Sequence, residues 1–121
     1  MKSHYSIEKR PGYLCMVVYG EYDISDFKEY FKIAIAACEK EKVYKILVNN
    51  LEVKGTDIPM THRFFLGEEI ARVIGSKLKG AIVWPLKDID RFTETVAKNR
   101  GGNMQLFGDV ESAEKWLFSD P

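Results

Sequence analysis

Two short apolar runs, each followed by an amphipathic segment, fill the last third of the chain. The first run, residues 81–84, is Ala-Ile-Val-Trp, and the second, residues 104–107, is Met-Gln-Leu-Phe. Each run has the length of a buried strand, and each is followed by a segment of helical periodicity that an acidic residue opens. Strands that alternate with helices in this way are typical of a parallel β-sheet covered by helices. The chain is therefore predicted to be an α/β protein.

The first half of the chain begins with a predicted hairpin. Residues 5–10 alternate in polarity and lead into the turn pair Pro11-Gly12. Residues 13–20 are densely apolar, so they suit the interior of a sheet, whereas the half-polar first strand suits an edge. An amphipathic helix follows, with Asp23 or Ser25 as its predicted N-cap.

The same pattern repeats to the end of the chain. Residues 45–49 are a predicted strand, residues 50–59 a loop and residues 60–74 a helix that stops at Gly75. Asp88 or Asp90 is predicted to open the third helix, and Asp109 is predicted to cap the fourth. The order β-β-α-β-α-β-α-β-α predicts a mixed five-stranded sheet, mostly parallel, with one antiparallel edge strand and four helices. We expect one domain over residues 1–121.

The charge balance limits the classes of partner. The 121 residues include 18 basic and 18 acidic side chains, so no net field draws the chain to nucleic acid or to an anionic membrane. No apolar stretch reaches the roughly 20 residues that cross a bilayer. We therefore expect no nucleic-acid partner and no membrane insertion. The N-terminal residues lack the apolar core of a signal peptide, which predicts a cytoplasmic protein.

Few residues suggest a metal or a cofactor. His4 and His62 are the only histidines, and neither has a second ligand at metal-binding spacing. Glycine-rich phosphate loops are also missing from the sequence. Cys15 and Cys38 stand in apolar segments, where a cysteine is usually a small buried hydrophobe rather than a nucleophile. We expect no metal, no cofactor and no redox pair.

The most polar segment of the predicted carboxyl edge of the sheet follows the third strand, and ligands commonly bind at that edge in open α/β sheets. In a structural interpretation, Thr56 and Asp57 cap the next helix. Thr61, His62 and Arg63 then belong to its solvated first turns. In a functional interpretation, all five form a binding loop. If the chain is an enzyme, the active-site cluster is Asp57, Thr61, His62 and Arg63, with His62 as a base near neutral pH. The five candidates are Thr56, Asp57, Thr61, His62 and Arg63.

The second predicted helix carries more apolar residues than one buried face requires. Helical spacing places Met60, Phe64, Gly67, Ala71 and Ile74 on a stripe that is expected to face the sheet. Another apolar set then remains: either a neighbouring helix covers it, or it is an exposed patch for a partner protein or a second copy of the chain. In the second case we expect a homodimer. The residues of this set are Phe65, Leu66 and Val73.

The order of the elements and several core and cap residues resemble the STAS-like domains, which have the fold of the anti-sigma factor antagonists. The resemblance is greatest to small uncharacterised bacterial proteins of that class, and it extends over nearly the whole chain. The residues that carry it are 66–71 (Leu-Gly-Glu-Glu-Ile-Ala), 96–101 (Val-Ala-Lys-Asn-Arg-Gly), Leu106 and Phe107, Ala113, Trp116 and Leu117.

The resemblance implies a regulatory protein-interaction module that is not an enzyme. In anti-sigma factor antagonists the loop after the third strand carries an Asp-Ser pair whose serine is phosphorylated. Asp57 matches the aspartate of that pair, but Ile58 replaces the serine, so Thr56 and Thr61 are the nearby hydroxyls that remain. The similar architecture of lipid-binding CRAL-TRIO domains implies an alternative, a carrier of a small apolar ligand or lipid that His62 and Arg63 would anchor. An unrecognised enzyme is the second alternative.

Overall fold

Within residues 2–119, five strands form a single sheet, and four α-helices and one short 3-10 helix are the other elements. The helices cover both faces of the sheet. The computed structural model describes residues 2–119. The strands run in the spatial order β1-β2-β3-β4-β5. The elements are β1 (Ser3–Arg10), β2 (Tyr13–Glu21), α1 (Ile24–Glu41), β3 (Lys45–Lys54), α2 (Met60–Ile74), β4 (Lys79–Val83), the 3-10 helix (Leu86–Asp88), α3 (Phe92–Asn99), β5 (Met104–Phe107) and α4 (Val110–Leu117).

The predicted hairpin and sheet are confirmed. Strand β1 pairs antiparallel with β2, and Arg10 lies opposite Tyr13 across the turn. Gly12 in that turn has a φ of 83°, a conformation that glycine adopts without steric cost. The pairs β2–β3, β3–β4 and β4–β5 are all parallel. The mixed sheet with one antiparallel edge strand and four helices therefore agrees with the order that the sequence predicts.

The apolar residues of β2 explain why this strand lies inside the sheet. Leu14 and Met16 belong to the larger core, which the sheet forms with α1, α2 and α3. Tyr13 and Cys15 point to the opposite face, where they pack with Ala113 of α4. Successive side chains of a strand point to opposite faces, so a strand that is buried on both faces must be apolar throughout.

Two helix starts follow from acidic side chains. Asp23, rather than Ser25, caps α1, and its Oδ1 accepts a hydrogen bond from the backbone N–H of Asp26 at 3.1 Å. Asp109 caps α4 by accepting from the N–H of Ser112 at 2.7 Å. Both groups satisfy N–H donors that a helix start otherwise leaves unpaired.

The end of β3 and the start of α3 differ from the prediction. Strand β3 continues to Lys54, because it pairs with β2 again after a register shift beyond Val17. Backbone pairing extends this strand into polar sequence, where no apolar pattern reveals it. Helix α3 begins at Phe92 after the 3-10 helix, and Asp90 accepts from the Phe92 N–H at 3.0 Å instead of starting the helix itself.

Glu94 connects α3 to β5 by a hydrogen bond. Its carboxylate accepts hydrogen bonds from the backbone N–H of Leu106 at 2.8 Å, from Arg91 at 2.9 Å and from Lys98 at 3.1 Å. Burial by itself raises the pKa of this carboxyl group, but the three donors together outweigh burial and hold the pKa below its usual value. The charged form of Glu94 therefore stabilises the fold.

We expect Glu94→Gln to lower the free energy of unfolding by about 1 kcal/mol near pH 7. A depressed pKa in the folded state gives stability above the unfolded pKa of roughly 4.3, and this stability is lost as the pH falls through the folded pKa. The difference between the variant and the wild type should therefore shrink on acidification. Urea unfolding at several pH values measures it, with the exposed Glu111→Gln as the control. A difference that does not change with pH would contradict this role for the carboxylate.

Candidate functional site

Thr56 joins the loop after β3 to the segment after β4. Its hydroxyl donates to Asp88 Oδ2 at 2.6 Å, and its carbonyl accepts from the indole N–H of Trp84 at 3.2 Å. The interpretation of Thr56 and Asp57 as caps of α2 is wrong, because the N-cap is Pro59 and no side chain bonds to that helix start. The Asp57 side chain is 93% exposed.

Arg63 is the centre of this edge of the sheet. The residue is only 8% exposed, so the interpretation of Arg63 as part of a solvated first turn is wrong. Its Nε donates to the carbonyl of Ile58 at 3.1 Å, and its Nη1 donates to the carbonyl of Asp88 at 2.7 Å. The carboxylate of Asp90 lies 3.4 Å from Nη1. The guanidinium therefore holds the loop before α2 against the segment before α3.

His62 belongs to an aromatic cluster instead of a cleft. Its Nδ1 lies 3.0 Å from the hydroxyl of Tyr22, and the Tyr22 ring packs edge-on against Phe27 and Trp84. The pKa of Tyr22 is raised, mainly by burial and to a smaller extent by the charge of Asp23, so this hydroxyl stays protonated. Tyr22 is a partner that the sequence does not reveal, because it stands 40 residues before His62.

The polar candidates do not converge on one point. Arg63 faces loop carbonyls, His62 faces Tyr22, and Thr61 is exposed. Asp57 comes no closer to the guanidinium of Arg63 than 3.9 Å. Acid–base catalysis requires a base and a reacting group within hydrogen-bond reach of a shared substrate position. Thr56 and Asp57 line one open concavity beside Asp88, but Thr61, His62 and Arg63 are not part of its lining.

A narrow cavity lies inside the same edge of the sheet. Its volume is about 30 Å³, and it is partly open to solvent. Apolar side chains of α1, α2, β4 and β5 make up most of its wall, and Asn50, Arg63, Asp88 and Thr93 are the polar residues that line it. Asn50 is absent from the sequence-predicted candidates, although two adjacent asparagines at the end of an apolar strand are a signal that could have indicated it.

A second concavity, which we call the α2–α3 groove, lies on the surface. It encloses about 270 Å³ between the N-terminal turns of α2 and α3. Phe65 is 49% exposed and Met60 is 55% exposed. The groove has an entirely apolar accessible lining, formed by Met60, Thr61, Phe64, Phe65 and Phe92.

Helix α2 is rotated relative to the predicted stripe. Leu66 is 4% exposed and belongs to the core, so it is not part of an exposed patch. Val73 is half-buried and packs against the same core. Of the stripe that was predicted to face the sheet, Gly67, Ala71 and Ile74 are buried, whereas Met60 is exposed and Phe64 is only half-buried. Arg63, Leu66 and Ile70 complete the buried side of the helix. Phe65 alone of the predicted set is exposed.

Cations flank the groove. Lys28 Nζ lies 5.4 Å from the centre of the Phe65 ring, and the Arg100 guanidinium lies 5.2 Å from that of Phe64. Arg100 also pairs with Glu68 at 3.2 Å. Within residues 2–119, Lys28 has no ion pair shorter than 4.0 Å. Lys28 therefore stands beside the exposed Phe65 ring without a direct ion pair, although its charge reaches Glu69 and helps to lower the pKa of that carboxyl group.

Metal-binding side chains, membrane-spanning helices and reactive thiols are the remaining features that could carry a function. No three His, Cys, Asp or Glu side chains of residues 2–119 are grouped to hold a metal ion. In the same part of the chain no helix is long and apolar enough to cross a bilayer. Both cysteines are buried, and burial raises the pKa of the Cys38 thiol to about 11. A thiol with such a pKa is a weak nucleophile at neutral pH.

Solved structures provide the comparison that decides the fold class. An anti-sigma factor antagonist from Mycobacterium paratuberculosis superposes with a TM-score of 0.66 at 14% sequence identity, over 97% of this chain and 95% of that one. The chain has the STAS-like fold. An uncharacterised protein of the DUF3478 family from Shewanella loihica, described as having a SpoIIAA-like fold, superposes with a TM-score of 0.54 at 18% identity. That match covers 95% of this chain and 93% of the other.

By contrast, the comparisons of the amino-acid sequence find no match. No family model matches the chain. No curated protein matches it either. The STAS-like resemblance that the core and cap residues indicate is thus confirmed by backbone geometry, which persists at identities below 20%.

Proposed function

We propose that this chain is a non-enzymatic protein-interaction module with a regulatory role, and that the α2–α3 groove binds its partner. The observation that carries the proposal is the wholly apolar lining of the groove, together with the exposure of Phe65 and Met60. Aromatic and methionine side chains are enriched where protein interfaces are buried, and the strongest contacts of an interface lie in such apolar depressions.

The charges around the groove indicate the chemistry of the partner. Lys28 stands over the exposed Phe65 ring. An apolar segment of the partner that also carries a carboxylate would fill the groove and pair with this cation. Such complementarity favours the correct orientation of two proteins during association. The partner is therefore expected to present an apolar side chain next to an aspartate or a glutamate.

The fold neighbours support a protein as the partner, since one of them is named an anti-sigma factor antagonist. A phosphorylation switch, if this chain has one, would act at Thr61 rather than at Thr56. Ile58 occupies the place of the usual serine and is buried, and the buried Thr56 hydroxyl already bonds to Asp88. Thr61 is exposed on the first turn of α2 and lines the groove, so a phosphate there would change the charge of the proposed contact.

The alternatives have less support from the geometry. A carrier of an apolar ligand needs a pocket, and a cavity that binds benzene measures about 150 Å³. The internal cavity of about 30 Å³ does not accept a lipid, and the larger α2–α3 groove is an open surface depression that does not enclose one. An enzyme needs convergent groups, which the predicted cluster does not provide. Self-association through the groove stays open as a form of the same proposal, in which the partner is a second copy.

We expect Phe65→Glu to abolish partner binding and leave the fold intact. The glutamate would place a charge in the groove, whereas half of the Phe65 side chain is free of core contacts. The wild type and the variant are used as baits, and any recovered partner is then purified and titrated by calorimetry. The matched control is Tyr44→Glu, because Tyr44 is 66% exposed and lies just before β3, at the opposite edge of the sheet.

The outcomes separate the forms of the proposal. A partner that binds the wild type and Tyr44→Glu, but binds Phe65→Glu at least roughly tenfold more weakly, supports the groove as the interface. Sedimentation of the wild type alone at high concentration shows whether the partner is a second copy. Equal binding by all three proteins would contradict docking through the groove.

A further inference from the structure

Asn50 is a buried polar side chain with one free acceptor. It is 2% exposed, and its Nδ2 donates to the carbonyls of Val83 at 3.1 Å and Val48 at 3.4 Å. Both partners are carbonyl oxygens, so the amide must turn its NH₂ group toward them, which fixes the position of its oxygen. The Oδ1 atom accepts no hydrogen bond from residues 2–119.

The free acceptor belongs to a side chain that lines the internal cavity. The cavity measures about 30 Å³. One water molecule requires roughly 10–15 Å³ by this measure, so the space holds about two water-sized groups. The side chains of Thr93 and Arg63, both largely buried, also line the space. A buried acceptor left without a donor costs roughly 1–3 kcal/mol, which a bound donor would offset.

We propose that this cavity is a binding site for a small uncharged molecule with a hydroxyl group that donates to Asn50 Oδ1. Water is the smallest such molecule, and methanol is close to the largest that the volume accepts. An apolar occupant leaves Oδ1 unpaired. An anion would meet the lone pairs of this oxygen, and the Nε and Nη1 donors of Arg63 already bond to the carbonyls of Ile58 and Asp88. None of the residues that line the cavity also lines the α2–α3 groove, so the two sites are separate.

High-resolution crystallography of the full chain tests the site. The expected result is a density peak about 2.5–3.0 Å from Asn50 Oδ1, with no xenon in the cavity after pressurisation, because xenon enters dry apolar cavities. In crystals transferred to methanol, an added carbon at this peak identifies an alcohol as a ligand, and an unchanged peak identifies water. Both support a hydroxyl on Oδ1. A xenon atom in the cavity, or no peak beside Oδ1, would overturn the proposal.

A variant and a solution measurement complete the test. Asn50→Leu keeps the approximate shape of the side chain and removes the acceptor, so its structure should lack the peak and admit xenon. The variant also loses two donated hydrogen bonds, so a second readout uses the wild type alone. Magnetisation transfer from a long-lived water to the side-chain amide protons of Asn50 is expected in solution. If no alcohol is bound to the wild-type protein and this transfer from water is also absent, the result would count against the site.

Discussion

Replacing Arg63 with alanine is expected to lower the free energy of unfolding by about 3 kcal/mol. The guanidinium donates to the carbonyls of Ile58 and Asp88 and lies beside the carboxylate of Asp90. Removing it takes the donor away from the buried carbonyl of Ile58 and the part-buried carbonyl of Asp88, and hydrogen bonds to charged groups are each worth roughly 1.5–3 kcal/mol. The midpoint of thermal unfolding should fall by on the order of 10 °C for a domain of this size.

Urea unfolding measures this loss, and a second arginine of α2 supplies the control. Arg72 is exposed and pairs with Glu69 one helical turn away. Surface pairs of this type contribute little, so Arg72→Ala should leave the free energy of unfolding almost unchanged. Arg63→Lys should recover only part of the lost stability, because an ammonium group lacks the planar set of donors. A similar small loss for Arg63→Ala and Arg72→Ala would show that the buried arginine does not hold the two loops together.

Gly67→Ala is expected to destabilise the protein by about 2–3 kcal/mol, although alanine favours a helix by roughly 1 kcal/mol over glycine. A Cβ atom at this position would lie 2.8 Å from the backbone oxygen of Thr93 and 2.9 Å from Cβ of Val96. Neither atom is the end of a flexible side chain, so α3 would have to move away from α2. Because both helices form the walls of the α2–α3 groove, partner binding should weaken as well.

Thermal and urea unfolding of Gly67→Ala give the size of this effect. The control is Ala36→Gly, since Ala36 is an exposed position of α1, and it measures the helix propensity term alone. That exchange should cost about 1 kcal/mol. If Gly67→Ala instead stabilised the protein, α2 and α3 would not be packed as closely as the structure has them.

The sequence predicts the sheet because burial and strand periodicity agree there. Strand β2 is apolar on both faces, and β5 begins and ends where its apolar pattern does. The end of β3 is missed because backbone pairing with β2, instead of side-chain burial, extends that strand to Lys54. Such pairing depends on a neighbouring strand and leaves no local pattern in the sequence.

The sequence predicts where the candidate site lies better than it predicts which side chains form it. Thr56 and Arg63 do lie at the carboxyl edge of the sheet, but Arg63 is buried and bonds to loop carbonyls that only the folded chain brings near. Phe65 is exposed as one interpretation of α2 has it, whereas Leu66 is not. Leu66 belongs to the core instead, and α3 packs closely against the neighbouring Gly67, which is a tertiary contact that helical periodicity does not reveal.

Mapping the partner onto the surface by NMR tests the central claim most directly. Protein labelled with ¹⁵N is titrated with the purified partner that the wild type retains and Phe65→Glu does not. The backbone amides of Met60, Thr61, Phe64, Phe65 and Phe92, which line the α2–α3 groove, should show the largest shifts, and the Lys28 amide should follow. Shifts confined to β1 and α4, with the groove unaffected, would contradict the account.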